Sequence, residues 1–237
     1  NHDVGAIEAH LASLAELGVL TSKTRVLDGC RARASAAAEQ RKTIASTVIV
    51  TCNRVEPALR CLQDFVLRGK QAGRTGDFVV LDDSPDADVR RQYREGLRAV
   101  AQQEAVEVRY AGREEKRRFV DALVGEGGTS SLPRHVVEFA LFGGEGLART
   151  IGANRNASLL HTVGDAFLST DDDTRGRMAL SPDAEDSLAL VSTNDPTDFW
   201  FFPDRDSAFG AAQFSDQDPW TQPERLLGRD LASCVAD

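Results

Sequence analysis

Three consecutive carboxylates, Asp171, Asp172 and Asp173, close the short apolar run Ala166-Phe167-Leu168-Ser169. Like charges this close raise a pKa or demand a cation. A hard divalent ion meets that demand, since Mg2+ and Mn2+ share their coordination between one or two carboxylates and substrate phosphates. The alternative is a solvated acidic turn with one Asp capping the next helix. Two further polar clusters end apolar runs in the same manner. Thr51-Cys52-Asn53-Arg54 follows Val48-Ile49-Val50, and Asp82-Asp83-Ser84-Pro85 follows Phe78-Val79-Val80-Leu81. An acid of the second cluster can accept a hydrogen bond from a nucleobase N–H, although Asp-Asp-Ser-Pro is equally a good turn and helix start. The first cluster also suits a strand-to-helix cap.

The elements that must position these clusters follow from the spacing of apolar residues. Short β-branched or apolar runs predict buried strands near 47–51, 78–82, 106–110 and 166–170. Between them lie amphipathic stretches. Leu59, Leu62, Phe65 and Val66 share one helical face after Pro57, and Val89, Tyr93, Leu97 and Val100 share another. Residues 114–123 and about 148–163 read as two further helices. Val136–Phe142 is an apolar patch that fits either a strand or a helix, and 125–131 reads as a Gly/Ser-rich loop. Strand and helix alternate four times, which implies right-handed βαβ units and an open, mainly parallel sheet in an α/β three-layer sandwich. Ligands of such sheets bind beyond the carboxyl ends of the strands, where all three clusters fall.

The flanks carry less. Ile7, Leu11, Leu14 and Leu17 predict one helix, and Ala32–Lys42 a second, within a helical lead-in over residues 1–45 that packs on the main domain. The sheet-bearing domain covers 46–175, and 176–237 begins a further region. Strands are expected near Leu188–Val191 and Phe199–Phe202, and a short helix after Leu226-Leu227-Gly228. Beginning at Asn1 rather than a methionine, the chain is not assumed to be a whole gene product.

The 237 residues carry a formal net charge of -9. A phosphate backbone is therefore not the expected main partner, because nucleic-acid binding needs clustered Lys and Arg. The cysteines are Cys30, Cys52, Cys61 and Cys234, with no C-x-x-C pair, which predicts a reduced, cytoplasmic setting and no structural zinc. No apolar run is long enough to span a bilayer.

The segments TVIVTCNR, FVVLDDS and GANRNASLLHTVGDAFLSTDDDT resemble the inverting GT-A glycosyltransferases of the large family 2. In that family a first strand ends in a Thr-x-Asn-Arg type sequence and a second in Asp-Asp-x-Ser. A helix carrying Arg-Asn then precedes Gly-Asp and the D-x-D strand. Order and spacing match across roughly residues 46–174. The resemblance implies a Rossmann-like, nucleotide-sugar-binding GT-A fold and transfer of a sugar from a nucleoside-diphosphate donor, by default a UDP-sugar, to an acceptor with inversion. It implies that Thr51, Asn53 and Arg54 line the nucleotide pocket and that Asp82 accepts from the base with Asp83 beside it. Arg113 would be the basic residue near the nucleotide, and Gly152, Arg155 and Asn156 would face the diphosphate. Asp171 and Asp173 would hold Mn2+ or Mg2+, with Asp172 beside them on the donor and, because three consecutive Asp leave the register open by one, a further candidate for the metal. Residues 176–237 would begin the acceptor side. The acceptor stays unidentified, and so does the catalytic base, for which Asp216, Asp218 and Glu224 are available. His161 reads as a packed or surface residue. A nucleotidyltransferase is disfavoured, since no glycine follows the first strand before Gly69. A domain that binds nucleotide sugar without turnover is the other alternative.

Overall fold

A computed structural model describes residues 4–33, 42–74, 76–125, 133–144, 150–180, 200–230 and 232–233. Contacts divide the chain into two compact units. One holds 42–178 and 215–224, and the other holds 1–41, 179–214 and 225–237. The chemistry-bearing clusters all belong to the first.

The elements run α1 (Val4–Glu16), α2 (Lys23–Arg33), β1 (Ile44–Thr51), α3 (Val55–Gln71), β2 (Asp77–Asp82), α4 (Ala87–Glu104), β3 (Val108–Ala111), α5 (Arg113–Gly125), α6 (Arg134–Phe142), α7 (Ile151–His161), β4 (Ala166–Asp171), β5 (Met178–Leu180), α8 (Arg205–Ala211), β6 (Gln213–Ser215) and α9 (Thr221–Leu226). Four strands form one parallel sheet in the order β3-β2-β1-β4. The fold is α/β with helices on both faces, a Rossmann-like layout.

The central strands are apolar on both sides because both sides are covered. Val48, Val50, Val79 and Leu81 pack on one face against Val120 of α5, Val137 and Leu141 of α6, and Ala157 of α7. The alternate residues face α3 and α4: Thr51 bonds Tyr93 of α4, and the Phe78 ring packs beside Gly69 of α3. Val48, Ile49 and Val80 are wholly buried, and each such side chain contributes about 1.5–3 kcal/mol through burial. The chain steps outward from β1 to β2 to β3 with α3 and α4 on one face, then returns by α5, α6 and α7 on the other to place β4 beside β1. The strand order therefore reverses between β1 and β4.

Trp220 completes the α3 face. Its indole donates to Thr47 Oγ1 at 2.9 Å, meets Phe65 edge-on at 5.9 Å, and lies 5.1 Å from the Arg74 guanidinium. Arg74 in turn pairs with Glu224, whose Oε1 also accepts from Ile44 N at 2.7 Å. These residues sit at the amino end of β1.

The Val136–Phe142 patch, which fitted either a strand or a helix, is helical: Val137 and Leu141 recur at a spacing of one helical turn and reach the core. One expectation is corrected. Residues 200–202 are not a strand, and their aromatic rings are exposed rather than paired into a sheet. A helix not expected from the sequence runs over Lys23–Arg33, whereas most of the Ala32–Lys42 expectation, residues 34–41, lies outside the described residues. A short helix, Thr221–Leu226, precedes Leu227-Gly228, and Asp218 starts it by accepting from Trp220 N and Thr221 N; beyond Gly228 residues 232–233 are helical, and 231 and 234–237 lie outside the described residues. The Leu188–Val191 expectation and most of the 125–131 loop lie outside the described residues. No helix among the described residues is long and apolar enough to cross a membrane.

Candidate functional site

A cavity of about 640 Å3 opens at the carboxyl ends of β1, β2 and β4. It is lined by Val50 to Arg54, Asp83, Thr150, Ile151, Asn154, Arg155 and Asp171 to Asp173. This is where the strand order reverses, the position at which open parallel sheets leave a crevice for ligands.

Each lining side chain is held by a local device. β1 ends at Thr51, and Asn53 then adopts a left-handed backbone (φ 56°), which asparagine tolerates better than most residues. That turn directs Asn53 N to Ser84 Oγ at 2.8 Å and lays Arg54 toward β4. The acids of β4 alternate. Asp172 turns inward and is buried, with Oδ2 accepting from Thr51 Oγ1 at 2.7 Å and Oδ1 3.0 Å from Arg54. Asp171 and Asp173 point the other way and are exposed. Arg155 lies 2.9 Å from Asp171, and Arg54 lies 3.1 Å from Asp173. Two guanidiniums thus offset the repulsion of three carboxylates.

Beneath Arg54 runs a directed chain. Arg54 N donates to Tyr93 Oη at 3.0 Å, and Tyr93 Oη lies 2.7 Å from Thr51 Oγ1. Thr51 spends its one proton on Asp172, so Tyr93 donates to Thr51. Burial raises the pKa of Asp172, opposed by the Thr51 bond and Arg54. Burial also pushes Tyr93 up to about 12, so it remains a neutral donor. Cys52 is likewise raised by burial and by Asp82 and Asp83, which keeps its thiol protonated at neutral pH.

Asp82 and Asp83 divide the work. Asp82 is wholly buried; Oδ1 accepts from Ser84 N at 2.8 Å and from its hydroxyl, and Oδ2 accepts from Tyr110 Oη at 2.8 Å. Gly112 permits this, since a Cβ there would fall 2.6 Å from Tyr110 Oη. Asp83 lines the cavity instead. Its Oδ1 lies 3.2 Å from the buried Lys116 ammonium, and its Oδ2 is buried with no partner among the described residues. Lys116 also donates to Asn154 Oδ1 at 2.7 Å, and Asn154 Nδ2 donates to Leu81 O at 2.7 Å and Thr51 O at 3.3 Å. Desolvation lowers the Lys116 pKa, opposed by Asp83.

Compared with protein-family models, curated proteins and solved structures, the chain matches none.

The residues singled out from sequence thus fall into two groups. Thr51, Asn53, Arg54, Asp83, Arg155, Asp171, Asp172 and Asp173 come together around the cavity. Asp82, Arg113, Gly152 and Asn156 do not line it. Asp82 is spent on Ser84 and Tyr110; Arg113 lies 5.9 Å from the Phe142 ring; Asn156 donates to Ala140 O at 3.0 Å. Sequence reasoning missed Cys52, Thr150, Ile151 and Asn154 in the lining, and Tyr93, Tyr110 and Lys116 beneath it. Helical spacing marks the α7 set: Ile151, Asn154 and Arg155 fall at i, i+3 and i+4 on one face, while Gly152 and Asn156 turn away. The spare acids are placed elsewhere. Asp218 and Glu224 bind Arg74 at the amino end of β1, about 20 Å from the cavity at roughly 3.3 Å per strand residue. Asp216 is exposed beside Arg68 and Gln71 on a separate hollow, and His161 is exposed at the end of α7.

For a divalent cation the donor set fits. Asp171 and Asp173 are hard oxygen donors two residues apart on the same side of a strand end, and each gives one oxygen to an arginine and keeps another. Two carboxylates do not close a coordination sphere, and no cluster of three or more ligating side chains occurs among the described residues. Sites of this kind leave the rest to phosphate and water.

Proposed function

We propose that this chain is a GT-A-type glycosyltransferase that binds a nucleoside-diphosphate sugar in the cavity and passes the sugar, with inversion, to an acceptor. The observation that carries the reading is the convergence of Arg54, Asp83, Arg155 and Asp171–Asp173 on one cavity at the strand-order reversal. Acids outnumber bases in that lining, so a diphosphate brings negative charge into an already acidic site. Positive charge from Mn2+ or Mg2+ held by Asp171 and Asp173 would stabilise the leaving nucleoside diphosphate.

The chain's own groups supply the remainder. Arg54 and Arg155 exchange carboxylate for diphosphate oxygens, which guanidinium binds equally well. The first turn of α7, from Ile151, adds backbone N–H groups and the positive end of a helix dipole. Asp83 offers its unpaired Oδ2 to a base N–H. Asp82 supports from below by holding Ser84, whose hydroxyl receives Asn53 N.

The test is a thermal-shift screen of nucleoside diphosphates with and without Mn2+, followed by turnover of a labelled nucleotide sugar. A ligand that binds only the folded state raises its melting temperature by mass action. A Mn2+-dependent shift with one base and release of that diphosphate on turnover are expected. No shift with any nucleoside diphosphate would sink the proposal.

A further inference from the structure

The geometry points to Lys116 as the residue that sets the hydrogen-bonding polarity of the cavity floor: it holds Asp83 as a carboxylate with Oδ1 bound, so that Oδ2 is an acceptor for a ring N–H of the ligand. This rests on the nucleotide reading above and assigns a role to a residue outside its motifs. Lys116 and Asp83 each keep only 3% of their side-chain surface exposed, so neither charge is maintained by solvent. A buried ammonium and a buried carboxylate are stable only together. The clamp is directional. Asn154 Oδ1 takes a second Lys116 proton, and its own amide group is tied to the ends of β1 and β2, so the ammonium is anchored to a fixed acceptor as well as to Oδ1. Asp83 Oδ2 is then the one buried carboxylate oxygen without a partner among the described residues. Asp83 lines the cavity, so a group that enters the cavity can supply its donor. An ionised carboxylate can only accept. A base with a protonated ring nitrogen, as in uracil, satisfies it; cytosine presents a lone pair at the corresponding ring nitrogen and is refused.

The charged and titratable groups facing this clamp are Asp82 and Tyr110 from β2 and β3, Arg113 from the start of α5, and Cys52 beyond β1. Asp82 is already satisfied by Ser84 and Tyr110, so it cannot take over the ammonium without losing those donors. Without Lys116, Asp83 becomes a buried acid with no adjacent ammonium, and burial favours its neutral form. A neutral carboxyl both donates and accepts, so the discrimination disappears at low pH and returns as rising pH ionises it.

The experiment is titration calorimetry of the full chain, with Mn2+, against uridine and cytidine diphosphates between about pH 6 and 9, spanning the range into which burial raises a carboxyl. Parent, Lys116→Met and Lys116→Met/Asp83→Asn proteins are compared. The parent is expected to prefer uridine diphosphate by about tenfold or more with a flat pH profile, as one unmatched buried polar group dictates. Lys116→Met should lose most of that preference near pH 6 and regain it as pH rises; the double variant should show neither preference nor pH dependence. A folded Lys116→Met protein with the parent's preference and flat profile overturns the inference. If Lys116→Met fails to fold, a folded double variant lacking the preference supports it, whereas a double variant that also fails to fold assigns Lys116 to packing alone and overturns it. A parent that binds neither nucleotide overturns this inference, whereas the proposed function falls only if no nucleoside diphosphate binds.

Discussion

Replacing Tyr93 by Phe removes one oxygen and leaves the ring where it is. Tyr93 is wholly buried and stacks on Tyr110 at 6.3 Å, so no cavity beyond the hydroxyl arises. Two hydrogen bonds go: the one from Arg54 N and the one to Thr51 Oγ1. Each contributes about 1 kcal/mol net, and the part-buried Arg54 N–H left without an acceptor costs about another 1 kcal/mol, while the phenol's own desolvation is recovered. The sum is a loss of about 2 kcal/mol. Trp220 is buried in the same unit, so its fluorescence follows the unfolding of that unit in urea. With a slope of about 2 kcal/mol/M the midpoint should fall by about 1 M. The variant should also bind nucleoside diphosphate more weakly, because Thr51 is freed to turn from Asp172 and Arg54 loses its backbone anchor. A midpoint shift below about 0.2 M would refute the directed chain from Arg54 through Tyr93 and Thr51 to Asp172.

Other perturbations test other parts. Trp220→Ala should cost about 3–5 kcal/mol, read as a fall in the circular-dichroism melting temperature, because it removes a buried indole together with its bond to Thr47. Glu224 has a depressed pKa, first through the Arg74 bond. Its contribution is therefore present above the unfolded glutamate value and lost as pH falls through the folded one. Urea midpoints of parent and Glu224→Gln should differ at pH 7 and converge under acid, and a gap that persists at low pH would contradict this. Asp173→Ala should leave the urea midpoint near that of the parent, since the residue is exposed, yet remove Mn2+-dependent nucleotide binding and turnover; near-parent turnover, or parent activity that survives excess EDTA, would leave an acidic turn in its place.

The two central strands were legible because parallel strands covered on both faces are written as unbroken apolar runs, as Val48-Ile49-Val50 and Val79-Val80-Leu81 are. The cavity was legible to the extent that its residues stand at strand ends, where topology alone brings Thr51, Asp83 and Asp171 together. Which acid of Asp82-Asp83 faces the cavity was not. That is settled by Tyr110 and Lys116, more than two dozen positions downstream, and nothing local distinguishes the two carboxylates. Lys116 sits in the charged run Arg113–Arg118 and reads as surface, yet it is the member of that run turned to the core. Trp220 lies among Asp, Gln and Pro in loop-like order, where periodicity carries no signal, and its burial is decided by Phe65 and Thr47.

The reversal of strand order also dictates when the site comes into being. β1, β2 and β3 are neighbours in sequence as well as in the sheet, so their pairing closes short loops. The bond from Thr51 to Asp172 spans 121 positions, and the β1–β4 seam is the non-local closure of the sheet. Long closures cost more entropy and tend to form late. Half of the cavity wall, Thr51, Arg54 and Asp83, is therefore in place early, and the acidic half arrives when β4 docks. A chain emerging from synthesis carries no competent site until nearly all of this unit has been made, and a ligand that bridges the two halves fastens the seam that closes last.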